Sequence, residues 1–180
     1  MTVKAVLAGS AGQGVPALGF LLAQAAFEAG KEVTCLSSLA QLLPGGPEDC
    51  TVAVSQEEIA SPVASSPQIA LALDEAGLAR LVNQVAADGH LLINSSLVHS
   101  TVRRQDLRLL LLPAGQIAVK LGREQAAPLV MLGALAQATG MVSLKYLERA
   151  LAAAEDQKPE LELDLRALRA GAEQVRRAHS

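Results

Sequence analysis

The chain has 180 residues, with 15 Lys and Arg against 18 Asp and Glu, so its net charge is −3 with the three histidines neutral. Hydrophobic residues make up 51% and charged residues 18%, which excludes an intrinsically disordered chain, since disorder goes with few apolar residues and high charge. At this length a single domain spanning 1–180 is expected, and because aromatics are only 2% its core has to be built from Leu, Val, Ile and Ala.

The elements follow in order. Val3 to Ala8 is a short apolar run that predicts a buried strand. Leu18, Leu21, Leu22, Ala25, Ala26 and Ala29 then recur at the spacing of one helical face, with Pro16 suited to the first turn and Gly30 to the C-terminal cap. Lys31 to Leu36 predicts a second strand, completing a βαβ unit with a right-handed crossover. From Ser37 to Asp49 the chain reads as a loop around Pro44-Gly45-Gly46-Pro47, and Cys50 to Ser55 as a third strand. Residues 56–68, with three serines and two prolines, read as an exposed excursion.

Ile69 to Leu73 is the next strand, followed by a helix from about Glu75 to Ala87. His90 to Ile93 and Leu107 to Leu112 are further strands. Helices are expected over Ala114 to Leu121, Glu124 to Ala138, Ser143 to Ala154 and Leu163 to Ala178, with a frayed tail at 172–180. Strands alternating with helices define an α/β protein: a three-layer α/β/α sandwich with a Rossmann-like, mostly parallel sheet and C-terminal helices.

The charge balance argues against nucleic acid as a partner, because phosphate backbones call for clustered Lys and Arg. Arg103-Arg104 and Arg176-Arg177 are the basic clusters here. Residues 5–27 are uncharged, but Gly9, Gly12, Gly14 and Pro16 interrupt them well short of the ~20 apolar residues that a membrane-spanning helix needs. No basic start followed by a long apolar core marks a secretory signal, so a cytoplasmic location without membrane association is expected. Cys35 and Cys50 are not spaced as C-x-x-C and have no nearby histidine, so no metal or iron–sulfur site is expected; buried free thiols are.

The strongest local signal is Gly9-Ser10-Ala11-Gly12-Gln13-Gly14-Val15, between the first strand and its helix. Glycines let the backbone turn tightly, and the following helix offers unpaired N–H groups and the positive end of its dipole to an anion. The spacing is G-x-x-G-x-G, neither the G-x-G-x-x-G of dinucleotide-binding folds nor a P-loop. Phosphate binding and tight helix packing therefore both remain open for it. The carboxyl ends of parallel strands, where ligands collect, further nominate Ser37, Ser38, Asp74 and Asn94 with the adjoining Ser95 and Ser96, with turn capping as the plainer role. No nucleophilic or acid–base catalytic set is evident: G-x-S-x-G is missing, His90 reads as structural, and Cys35 lacks a positive neighbour that would activate it.

The order of segments resembles the gamma subunit, or fused gamma domain, of 2-oxoacid:ferredoxin oxidoreductases over about Val3 to Gly171. The resemblance rests on Gly12-Gln13-Gly14-Val15, on Gly45-Gly46 leading to Val52-Ala53-Val54-Ser55 and Glu58-Ile59, and on Ile69 to Asp74. It continues through Pro113, Ile117-Ala118, Leu121-Gly122, Leu132-Gly133-Ala134-Leu135 and Thr139-Gly140. It implies oxidative decarboxylation of a 2-oxoacid to an acyl-coenzyme A with ferredoxin reduction, by a complex of alpha, beta and delta-type subunits. Thiamine diphosphate and iron–sulfur clusters would lie in those partners. The chain itself would be inactive alone, homodimeric when isolated, and would contribute to the coenzyme A side of the site. Gly9, Gly12, Gln13, Gly14, Val15, Ser37, Ser38, Gly45, Gly46, Asp74 and Asn94 are the residues nominated for cofactor contact. Leu42 and Pro44 stand where the family's loop carries charge, which removes any contact made by its arginine. An indolepyruvate oxidoreductase subunit and a stand-alone phosphate-binding α/β module are the alternatives.

Overall fold

A computed structural model describes residues 1–38, 46–155 and 159–178. In chain order the elements are β1 (Val3–Ser10), α1 (Val15–Glu28), β2 (Glu32–Ser37), β3 (Pro47–Ser55), β4 (Ile69–Ala72), α2 (Glu75–Leu81), β5 (His90–Asn94), β6 (Arg108–Leu112), α3 (Ala114–Lys120), α4 (Ala127–Thr139), α5 (Leu144–Ala154) and α6 (Leu161–Ala178). A 3₁₀ turn over Glu124–Ala126 leads into α4.

The strands form one sheet in the order β2-β3-β1-β4-β5-β6. β1, β4, β5 and β6 pair in parallel, whereas β3 runs antiparallel between β1 and β2. The expected βαβ unit is therefore split: β1 and β2 point the same way across α1, with a reversed strand inserted between them. β3 also begins three residues earlier than its alternation predicts, because Pro47, Glu48 and Asp49 pair with Ser10, Gly9 and Ala8. Proline is tolerated there as the first residue of a strand. α2 ends at Leu81, short of the helix expected to Ala87, and turns follow it.

The two faces of the sheet are covered unequally. Ala5, Leu7, Val52, Val54, Leu71 and Leu92 face a large core shared with α1, α3, α4, α5 and α6. Val6, Ala8, Ala70, Ala72, Leu91 and Ile93 face a smaller core closed by α2 and by Val98, with Val102 and Leu107 packed against it. α2 sits close because it presents Gly77 to the sheet: a Cβ there would lie 2.5 Å from the Ala8 carbonyl oxygen. Residues 56–66 hold no helix or strand, and the Val63 carbonyl receives a hydrogen bond from the Lys4 ammonium at 2.5 Å.

α4 is the centre of the large layer. Every residue from Val130 to Ala136 is buried, a helix apolar on all sides, as expected of one enclosed between two neighbours. The sheet covers one side and α6 the other. The two helices touch through glycines: a Cβ on Gly133 would lie 1.9 Å from the Leu168 carbonyl oxygen, and one on Gly171 1.8 Å from that of Val130. α6 is amphipathic, burying Ala167, Leu168, Ala172 and Val175. Residues 172–178, expected to fray, thus continue the helix. Among the described residues no helix is long and apolar enough to cross a membrane.

Gly133→Ala and Gly171→Ala should each force α4 and α6 apart, since the opposing atoms are main chain and cannot rotate away. Urea unfolding should register a loss at or above the upper end of the roughly 1–3 kcal/mol that overpacking costs. Alanine at the outward-facing Gly122 tests backbone strain instead, because nothing lies within 4 Å of where a Cβ would sit and the φ is +82°.

Candidate functional site

β1 delivers the chain into the glycine turn at its carboxyl end. Gly12 and Gly14 have φ of +88° and +74°, the left-handed region that favours glycine. Gln13 folds back so that its Oε1 accepts from the Ser10 N–H at 2.8 Å, while its own N–H donates to the Ser10 carbonyl at 3.2 Å. α1 then starts at the fully buried Val15, with Pro16 in its first turn, and Gly14 supplies no side-chain cap.

That cap comes from another strand. The register that sets Gly9 opposite Glu48 brings the Glu48 carboxylate to the start of α1. Its Oε1 accepts from the Gly12 N–H and its Oε2 from the Val15 N–H, both at 3.2 Å. A carboxylate here satisfies orphan amides and opposes the positive end of the helix dipole. Two of the amides that an incoming phosphate would use are therefore already engaged by the protein's own anion.

The surroundings are cross-braced. Arg80, at the last turn of α2, donates from Nε and Nη2 to Asp49 Oδ1 at 3.1 and 2.9 Å, and from Nη2 to the Gly9 carbonyl at 2.8 Å. Asp74 caps α2 by accepting from the Gly77 N–H at 2.8 Å, and its other oxygen accepts from the Ser10 hydroxyl. Asn94, 2% exposed, donates to the Leu73 carbonyl and accepts from the Ser96 N–H, both at 3.2 Å. Asp74 and Asn94 thus tie together the ends of β1, β4 and β5.

Between these strand ends lies a cavity of about 650 Å³, lined by Gly12, Gln13, Asn94, Ser96, Gln116 and Lys120 among others. It opens beside the junction of β1 and β4, from which chain connections leave in opposite directions along the sheet, the usual position of a ligand in an open α/β sheet. A smaller hollow of about 330 Å³ adjoins it and shares Gln13, Gln125 and Pro128. Its wall includes Asp164, buried and paired with Arg123 Nε at 2.5 Å.

The structure gathers Gly9, Gly12, Gln13, Gly14, Val15, Asp74 and Asn94 around one corner. Ser37 and Ser38 lie apart, beyond β3: the Ser37 hydroxyl donates to Cys50 Sγ at 3.8 Å and the Ser38 N–H to the Asp49 carbonyl at 2.9 Å. Gly46 directly precedes β3. Gly45, with Leu42 and Pro44, lies outside the described residues. Ser96, one of the polar residues at the strand ends, also lines the cavity, whereas Glu48, Arg80, Gln116 and Lys120 carry no signal in the sequence. Glu48 and Arg80 become visible only once β3 is paired with β1, and no local pattern marks them.

Cys35 departs from the buried, inert thiol expected. It is exposed on the edge strand β2, with its Sγ 3.5 Å from that of the buried Cys50. The Cys50 thiol, by hydrogen bonding, lowers the Cys35 pKa to about 7 against the opposing effect of burial, while Cys50 itself is pushed up. A thiol neighbour supplies what the sequence lacked in positive charge. His90 is half-buried and depressed, first by burial and then by Arg108. Among the described residues no three His, Cys, Asp or Glu side chains gather in a metal-binding arrangement.

Residues 4–174 match the family model described as pyruvate ferredoxin/flavodoxin oxidoreductase, and the chain belongs to that family. It is 31% identical over 176 residues to the ketoisovalerate oxidoreductase subunit VorA of Methanothermobacter thermautotrophicus, covering 97% of this chain but 36% of that protein. The chain thus spans about a third of the length of that relative. It is 30% identical to the pyruvate synthase subunit PorC of Thermotoga maritima, covering 93% of this chain and 92% of that one. The crystal structure of a keto/oxoacid ferredoxin oxidoreductase gamma subunit from Geobacter sulfurreducens superposes with a TM-score of 0.85 at 26% identity, covering 99% and 98% of the two chains. A 2-oxoglutarate:ferredoxin oxidoreductase from Magnetococcus marinus, with 2-oxoglutarate, coenzyme A and succinyl-CoA bound, shares the fold alone: TM-score 0.87 at 18% identity, over 98% of this chain and 31% of that one.

Glu48→Ala should free the Gly12 and Val15 amides and cost about 1 kcal/mol of stability, the usual loss on removing a helix N-terminal cap. Denaturant titration measures the cost, and amide chemical shifts of Gly12 and Val15 identify its origin. Glu48→Gln should fall between the variant and the parent, keeping an acceptor without the charge.

Proposed function

We propose that the chain is the gamma component of a cytoplasmic 2-oxoacid:ferredoxin oxidoreductase, in which alpha, beta and delta-type partners carry thiamine diphosphate and the iron–sulfur clusters. This component binds no cluster. It holds part of coenzyme A, the acyl acceptor, against the partner that performs the decarboxylation. The observation that carries the reading is the cavity at the strand ends in a chain of this family. It offers a mixed set of polar groups where open α/β sheets take ligands: the glycine turn after β1, Ser96 after β5, and Gln116 and Lys120 on α3.

The donor set suits a phosphorylated ligand. Lys120 supplies a positive charge, and the Ser96 hydroxyl and Gln116 amide supply neutral hydrogen bonds. Glu48 occupies the start of α1, so the phosphates are directed toward Lys120 and away from the Val15 amide. A volume of about 650 Å³ is in the range of drug-sized ligand sites and accommodates part of coenzyme A, leaving the thiol end to project toward a partner subunit.

Titration of the chain with coenzyme A, followed by amide shifts, should move Gly12, Asn94, Ser96 and Lys120. Lys120→Ala should weaken binding about tenfold, the equivalent of one charge-assisted hydrogen bond. Unmoved cavity residues, in the free chain and in the complex with its partner subunits, would overturn the coenzyme A assignment. Failure to copurify with subunits that bind thiamine diphosphate and clusters would overturn the gamma-component assignment.

A further inference from the structure

We propose that Cys35 and Cys50 form a reversible oxidation site, in which a hydroperoxide converts the two thiols into an intrachain disulfide between β2 and β3. Three observations place the chemistry. The two sulfurs lie 3.5 Å apart, so forming a bond of about 2.05 Å requires an approach of roughly 1.5 Å. The cysteines project from the same face of adjacent antiparallel strands, with Cys35 opposite Val52 and Cys50 opposite Ser37. One is accessible and the other is not: Cys35 is exposed, whereas Cys50 is fully buried.

This asymmetry divides the roles. Accessible thiolates are the ones that meet peroxide, and a neighbouring thiol resolves the product before it is oxidised further. Cys35 has the acidity for the first role, at about 7, held there by the hydrogen bond from Cys50. Cys50 is confined. It lies under α1, where a Cβ on Gly19 would come within 2.1 Å of its sulfur, and the Ser37 hydroxyl donates to it from the Cys35 side. The movement falls to β2, which among the described residues is an edge strand paired with β3.

The reaction balances without a metal. The Cys35 thiolate attacks the outer peroxide oxygen and the O–O bond breaks. The leaving alkoxide, or hydroxide from hydrogen peroxide, takes up a proton, and Cys35 becomes a sulfenic acid. Cys50 sulfur then attacks the sulfenic sulfur, the S–O bond breaks, and the departing hydroxide leaves as water with the Cys50 proton. Two thiols are oxidised by two electrons in all, and the hydroperoxide is reduced to an alcohol and water, or to two waters. A dithiol reverses the step by thiol–disulfide exchange.

The test uses the full chain, reduced and then treated with hydrogen peroxide. Intact mass should fall by two hydrogens, proteolysis should give a Cys35–Cys50 linked peptide pair, and dithiothreitol should restore both thiols. Cys50→Ser should leave Cys35 as a sulfenic acid trapped by dimedone, and Cys35→Ser should leave Cys50 unreacted. Independently of any variant, the pH profile of Cys35 alkylation in the parent chain should have its midpoint near 7, against ~8.5 for an ordinary thiol. Direct progress of Cys35 to sulfinic acid with Cys50 still reduced would overturn the proposal, as would oxidation that yields only disulfides between chains.

Discussion

The reversed strand β3 is the constraint on which the rest of this corner depends. A parallel sheet of this order places β1 and β2 on the same side of a crossover helix; here β3 slides between them and pairs with both. Successive residues of a strand point to opposite faces. Glu48 and Cys50 consequently face α1, while Asp49 faces α2. Three consecutive side chains then perform three tasks: Glu48 caps α1, Asp49 anchors Arg80 across the Gly9 carbonyl, and Cys50 meets Cys35 beneath Gly19. A slip of one residue in the register would exchange the faces and abolish all three.

This arrangement gives the glycine turn a different character from that of an open anion site. Its two left-handed glycines and the exposed start of a helix have the form of a phosphate cradle, yet a carboxylate from the same chain already answers part of that field. The polar cavity beside it is built from groups with other attachments. Asn94 is spent on joining strand ends, whereas Ser96, Gln116 and Lys120 come from the segment after β5 and from α3. Ligand selectivity at such a site depends on where negative charge is rejected as well as on where it is received.

The sequence made most of the architecture legible because its signals were local. Alternating helix and strand patterns, Pro16 at a helix start, Gly30 beyond a helix end and Asp74 ahead of Glu75 each report on their own neighbourhood, and β1, α1 and the start of α2 lie where those signals put them. What escaped was non-local. Pro47-Glu48-Asp49 is indistinguishable from loop until Ser10, Gly9 and Ala8 lie opposite it. The acidity of Cys35 depends on Cys50, fifteen residues away in sequence and one strand away in space. The unequal cover of the two sheet faces has the same origin, since no single helix states which side it takes. Gly133 carried part of the family resemblance without showing why a glycine stands there; the answer is the backbone of α6.

The burial of α4 between the sheet and α6 also bears on how the chain is made. Residues 127–139 are synthesised before residues 161–178, so until the last helix docks a helix greasy on every side has only half its shelter. Nascent chains in this condition are sticky, and α5 cannot substitute for a neighbour that must approach to backbone contact. Folding of the large layer therefore waits on the last helix of the fold, and any truncation within it exposes α4 to chaperones and proteases.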